Sequence, residues 1–254
     1  MNVSLTATKE IIPVNEYIRD PMGPVSNLAH GWGLFSGVHL TPAEDRTMVR
    51  EPARAVPSSL AERLGKVQVL IVPYIGCFDA GDSICLAKPP GETHTAVWVE
   101  EQGFLNLALA CRELDAHDTG FELLASIAQI ALPKMTHEEL SGYAALLDKE
   151  AALGVRGEID KEALNAKAAF LKLRNGASSR ATKRLGQYVD VSLTGTLTEY
   201  MHGLWHDVQI RVGQDYLPVQ QLRERMMWLA GIFPPNPGYD LFARELDGSK
   251  TPKS

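Results

Sequence analysis

The chain has 254 residues, 45% of them hydrophobic and 22% charged, with a formal net charge of −6. A chain this long buries a sizeable core without a disulfide or metal staple, and the length suits one large domain or two small ones. Its modest acidity gives no electrostatic case for nucleic acid, whose binders carry a basic footprint. No apolar run approaches the roughly 18 residues that a membrane span requires.

The first residues, MNVSLTATKEIIPVNEY, lack the basic and apolar regions of a secretory signal. Three cysteines (Cys77, Cys85 and Cys111) make an odd count with no CxxC pair. That usage fits a reducing compartment, with cytoplasm the expected location, and argues against a zinc ribbon or a disulfide framework.

Residues 1–58 are punctuated by Pro and Gly and read as loop with short extended pieces. Within them Thr41 can cap a helix, Pro42 suits its first turn and Glu44 holds the capping-box position, with a stop expected before Pro52. Ser59 and Glu62 repeat the box for a short helix ending near Gly65. The apolar runs KVQVLIVPYIGCF, SICLA and THTAVWVE predict three strands, joined by connections too short for a parallel crossover. Continuous apolarity from Val67 to Ile75 predicts burial on both faces, with Pro73 at a bulge or strand end.

From Phe104 the pattern reads as helical, with Phe104, Leu107, Ala108, Cys111 and Leu114 three or four apart. Thr119 with Glu122 opens a second helix, and Thr136 with Glu139 a third, closed by Gly154 in the position after the C-cap. Asp160 caps a fourth. Two more are expected at about residues 195–212 and 218–232, ahead of the Pro-rich FPPNPGYDLF. The predicted fold class is α+β: a small antiparallel sheet (about residues 67–100) packed with a larger helical part (about 104–232). The expected organisation is a single domain over residues 1–254, loop-rich and β-containing to residue 100 and helical thereafter.

The segment TLTEYMHGLWHD, residues 196–207, carries Glu199, His202, His206 and Asp207. On a helix Glu199, His202 and His206 fall on one arc, and histidines four apart can share a divalent cation. Glu199 and Asp207 are the candidate catalytic carboxylates, and zinc, iron or manganese the candidate ions. Three features oppose this reading. Gly203 stands where HExxH helices carry their glutamate. Leu197, Met201, Leu204, Trp205, Val208 and Val212 form a stripe centred opposite the histidines, so the pair is expected to face water. Thr196 and Glu199 also have capping-box spacing, although an earlier helix start would free Glu199.

Other polar clusters have competent structural explanations. His117 with Asp118 makes a second His-Asp pair beside His206–Asp207, the residue types of metal-dependent phosphohydrolases, but in no matching order. A three-residue hairpin loop at Ala80–Asp82 would make Cys77 and Cys85 cross-strand neighbours. Asp79, Asp82 and Ser83 suit an ion or an activated hydroxyl, yet Asp and Gly also serve hairpin turns. His94 reads as a partly exposed strand residue. Lys167, Lys172, Arg174, Arg180, Lys183 and Arg184 form a basic segment that suits a phosphate-bearing ligand or a helix end.

Two functions follow. One is a non-catalytic protein that binds a partner or itself through the Pro-rich tail, the N-terminal loops or the basic segment. The alternative is a metal-dependent hydrolase-type enzyme built on His202 and His206. The sequence leans to the first, because each acid and histidine also has a structural role available. Neither nucleic acid nor membrane is an expected partner.

Overall fold

A computed structural model describes residues 11–20, 25–174, 179–206, 208 and 210–242. The architecture is α+β. The chain divides into two compact units, Met1–Ala53 with Gly65–Leu123, and Arg54–Leu64 with Leu124–Ser254. Among the described residues no helix is long and apolar enough to cross a membrane.

The first unit contains β1 (Ile11–Pro13), α1 (Val14–Arg19), β2 (Val25–Asn27), β3 (Gly33–Ser36) and α2 (Pro42–Asp45). A π-turn at Arg46–Arg50 leads into α3 (Glu51–Ala55), where the chain passes to the second unit. The capping box of α2 forms as predicted, with the Thr41 hydroxyl accepting from the Glu44 amide and the Glu44 carboxylate from the Thr41 amide. Helical structure nevertheless continues past Pro52. The wide turn ahead of it accommodates the proline ring and its missing N–H.

The remaining strands are β4 (Val67–Val72), β5 (Tyr74–Phe78), β6 (Gly81–Cys85), β7 (Thr93–His94), β8 (Ala96–Glu101) and β9 (Phe104–Ala110). They form two sheets. One is antiparallel, in the order β1-β6-β5-β7; the other runs β2-β3-β4-β9-β8, with β3, β4 and β9 parallel. Pro73 separates β4 from β5 at the point where the chain leaves one sheet for the other, a strand end as anticipated.

Two expectations are corrected here. The strands are not all antiparallel, because β4 takes its neighbours from β3 and β9 across long connections rather than through hairpins. Residues Phe104–Ala110 are a strand, not the start of a helix. Leu105 to Ala110 are all buried, and an inner strand covered on both faces is apolar at nearly every position, so it also satisfies a count of apolar residues three and four apart. Val14, Tyr17, Leu70, Val72, Ile75, Ile84, Ala108 and Ala110 form one buried cluster in this unit.

In the second unit the elements are helical: α4 (Ser58–Leu64), the later turns of α5 (Ala116–Ala131), α6 (His137–Ala152), α7 (Lys161–Leu171), α8 (Ser179–Trp205) and α9 (Val219–Ile232). The Thr136–Glu139 capping box forms on α6. Glu139 also accepts from Nη1 and Nη2 of Arg63 at 2.7 and 2.9 Å, and Arg63 holds its carboxyl down at about 2. Gly154 closes α6 as predicted: its amide donates to Ala151 O and that of Val155 to Glu150 O. Asp160 caps α7 through the Ala163 amide.

Other caps differ from the sequence reading. Asp115, not Thr119, caps α5 by accepting from the Asp118 amide at 2.8 Å. The Ser59 box is absent, and Ser59 Oγ has no hydrogen-bond partner among the described residues. Asn236 from the Pro-rich tail does the work instead. Its carbonyl oxygen accepts from the amide and hydroxyl of Ser58 at 2.8 and 2.7 Å, and its amide donates to Arg54 O and Val56 O at 2.9 and 2.7 Å. Replacing Asn236 with alanine is therefore expected to lower stability by about 1–3 kcal/mol, read as a lower urea midpoint. An unchanged midpoint would mean that the tail does not hold α4.

Helix α8 runs over Ser179–Trp205 rather than about 195–212. Its β-branched residues and glycines weaken local propensity, and packing overrides it: Tyr188, Leu193, Leu197, Tyr200, Met201 and Leu204 are all buried. Gly195 admits the start of α7, since a Cβ there would lie 2.6 Å from Asp160 Oδ2.

Candidate functional site

The early start of α8 decides the standing of Glu199. It lies well inside the helix, and Thr196 Oγ1 donates to Ser192 O rather than capping a new turn. Glu199 is therefore available for chemistry. One of its oxygens lies 3.6 Å from His202 Nδ1, and Arg211 Nη2 lies 3.5 Å from the other.

His202 is not on a wet face. It is 3% exposed, within a run from Tyr200 to Leu204 that is buried throughout. A single amphipathic stripe cannot bury five consecutive helical residues, so α8 is covered on more than one side. His206, one turn on, is exposed, and its amide donates to His202 O at 2.7 Å. The two imidazoles lie 5.5 Å apart between ring centroids, with a ring nitrogen of one within 4.8 Å of a ring nitrogen of the other. The predicted pair is thus brought together, with one member inside and one at the surface. Asp207 lies outside the described residues.

Sequence reasoning missed the most heavily charged part of this unit. Arg225 on α9 is fully buried and spends all five N–H groups. Its Nε and Nη2 donate to Glu150 at 3.0 and 2.5 Å, and Nη1 and Nη2 to Glu158 at 2.7 and 2.8 Å. Nη1 also donates to Ser192 Oγ at 2.8 Å. Tyr188 donates to Glu158, and Lys167 Nζ donates to Gly157 O at 2.9 Å and lies 3.4 Å from Glu158 Oε1. Two acids thus balance two bases. Burial pushes the Glu158 carboxyl up, but the hydrogen bonds and charge of Arg225 outweigh it, so the group sits below its ordinary value. Burial lowers Lys167 against the opposing pull of Glu158.

The sequence signals for this cluster are the polarity of Glu150 and Arg225 at otherwise apolar helix positions and Lys167, which is not offered to a phosphate-bearing ligand as the basic segment suggests but is buried on α7 against Glu158. With its members this deeply buried the network ties α6, α7, α8 and α9 together. A small cleft lined by Glu158, Glu199, Arg211, Tyr216 and Leu217 connects its edge with the carboxylate beside His202.

In the first unit β5 and β6 meet through a two-residue turn, so Cys77 pairs with Asp82 and Tyr74 with Cys85. The longer loop that would align the two cysteines does not form. Cys77 and Cys85 fall on opposite faces of the sheet, and both are free thiols. Cys77, Asp82 and His94 offer donor atoms that all lie within 4.8 Å of one another. Asp115, His117 and Asp118 make a similar group at the start of α5, where Asp115 is already the cap.

The described residues of the Pro-rich tail are engaged inside the second unit. Phe233 and Leu241 are buried, Tyr200 donates to Phe233 O, and Arg63 stacks over the Phe233 ring at 4.8 Å. Comparison with family models, with curated proteins and with solved structures finds no match to this chain.

Proposed function

We propose that this is a divalent-metal protein whose ion is held on α8 by His202 and His206, in a setting suited to hydrolysis. The observation that carries the reading is the burial of His202 on the turn below His206, with its Nδ1 facing the Glu199 carboxylate at 3.6 Å, close enough to orient the ring though longer than a hydrogen bond. Ligating histidines commonly present one ring nitrogen to the metal and the other to a carboxylate, which fixes ring orientation and raises ligand basicity. Glu199 is a positioning residue in this scheme, and Nε2 of His202 is the ligating atom. The exposure of His206 leaves the ion at the protein's edge, where water reaches it. Nitrogen donors suit zinc, iron or manganese, and such an ion supplies Lewis acidity or an activated water. Partner binding through the Pro-rich tail receives less support, since Phe233, Asn236 and Leu241 are all occupied within the unit.

Elemental analysis tests this in a Cys77→Ser background, which removes the thiol of the sheet cluster. Near-stoichiometric zinc, iron or manganese is expected, and it should be lost in His206→Ala with an unchanged circular dichroism spectrum. Because His206 is exposed, that loss reports ligation rather than unfolding. Metal-free protein whose melting ignores both added ions and chelator would overturn the reading.

A further inference from the structure

We infer that the antiparallel sheet carries a second, independent metal site, selective for zinc-class ions and built from Cys77, Asp82 and His94. Three adjacent strands supply the donors. Cys77 lies on β5; Asp82 is its direct partner on β6; His94, on β7, pairs with Ile75 two residues along β5. Paired residues share a face and alternate residues return to it, so register alone puts all three side chains on one side of the sheet. His94 Nε2 reaches to 3.4 Å from Asp82 Oδ1, across the strand that carries the sulfur. The imidazole and the carboxylate thus converge on one point beside Cys77, with all donor atoms within 4.8 Å.

The chemistry of the set is specific. A thiolate disfavours magnesium and calcium, which take oxygen donors, and together with imidazole and carboxylate it matches zinc. Ligand bonds of about 2.0–2.3 Å bring donors closer together than they stand here, which side-chain torsions accomplish without moving the strands. Those strands are fixed by the ladder and by the Cys77 amide donating to Glu92 O. Three protein ligands leave one tetrahedral position for water, and the half-exposed site admits it. On binding, the Cys77 thiol proton leaves to solvent as the S–metal bond forms. The other two cysteines do not compete: Cys85 and Cys111 are buried, and burial pushes both thiols up.

The test is a titration of the reduced full chain with cobalt(II), followed by zinc. A near-ultraviolet thiolate-to-cobalt charge-transfer band is expected, bleached when zinc is added. Cys77→Ser should abolish the band. His94→Ala and Asp82→Asn should each weaken cobalt binding by about tenfold or more, since even outer-shell partners of a metal contribute that much. Cys85→Ala and the double variant His202→Ala/His206→Ala should retain the band, which separates this site from the one on α8. No band, a band that survives Cys77→Ser, or affinity indifferent to His94 would each overturn the inference.

Discussion

Replacing Arg225 with methionine is expected to destabilise the protein by about 3–5 kcal/mol, measured as urea unfolding followed by far-ultraviolet circular dichroism. The reason is the charge left behind. Methionine fills much of the arginine volume, but Glu150 and Glu158, both about fully buried, lose four charge-assisted hydrogen bonds, and within the described network Lys167 is the cation left to balance two acids. Arg225→Lys should fall between the two, because one ammonium cannot fork onto two carboxylates.

The network also sets an acid dependence. Glu158 is depressed below its ordinary value of 4.5, so its contribution is complete above that pH and is lost as pH falls through its lower folded value. In Arg225→Met the chief cause of that depression is gone, and the acid-induced loss should shrink. A variant within about 1 kcal/mol of the parent, with the same pH profile, would show that the guanidinium is not what compensates the two acids.

The second large effect is expected at Gly157, where alanine should cost about 3–5 kcal/mol, at the upper end for a single substitution. Gly157 has φ +75°, a conformation that costs an alanine about 1–2 kcal/mol by itself. A Cβ there would also stand 2.0 Å from the Tyr216 carbonyl oxygen, inside the parallel bridge between Glu158 and Tyr216. Relieving that overlap moves backbone, and the backbone that moves carries Glu158. Gly154 is the internal control. Its φ is +71°, but nothing lies within 4 Å of its Cβ position, so Gly154→Ala should show the conformational cost alone. Equal losses at the two glycines would show that the close approach to Tyr216 has no energetic consequence.

The two proposed metal sites differ in how far the sequence reveals them. His202 and His206 were legible because i,i+4 spacing is a property of one helix. What remained hidden was the burial of His202 and the freedom of Glu199, because both depend on where α8 starts. Between that start at Ser179 and Glu199 lies a run of β-branched residues and glycine, Val189–Thr198, whose weak local propensity masks the continuity of the helix. Cys77, Asp82 and His94 are each visible in the sequence, but a three-residue loop at Ala80–Asp82, in place of the two-residue turn at Asp79–Ala80, would align Cys77 with Cys85 instead of Asp82. Their meeting is a matter of strand register, which the turn decides.

Local chemistry accounts for what the sequence determined by itself: the α+β class, the caps at Thr41, Thr136 and Asp160, the helix stop at Gly154 and the strand end at Pro73. The class rests on the period of apolar residues along the chain, and each of the others on a hydrogen bond or a torsion within a few residues. Tertiary structure decided the rest. It made β9 a strand by burying both its faces, drew α8 out to Trp205, and capped α4 with Asn236, 178 residues away. It also assembled Arg225 with Glu150 and Glu158, which lie 75 and 67 residues off in the chain. A buried charge is stable only with its partners in place, and no window of sequence can contain partners that far apart.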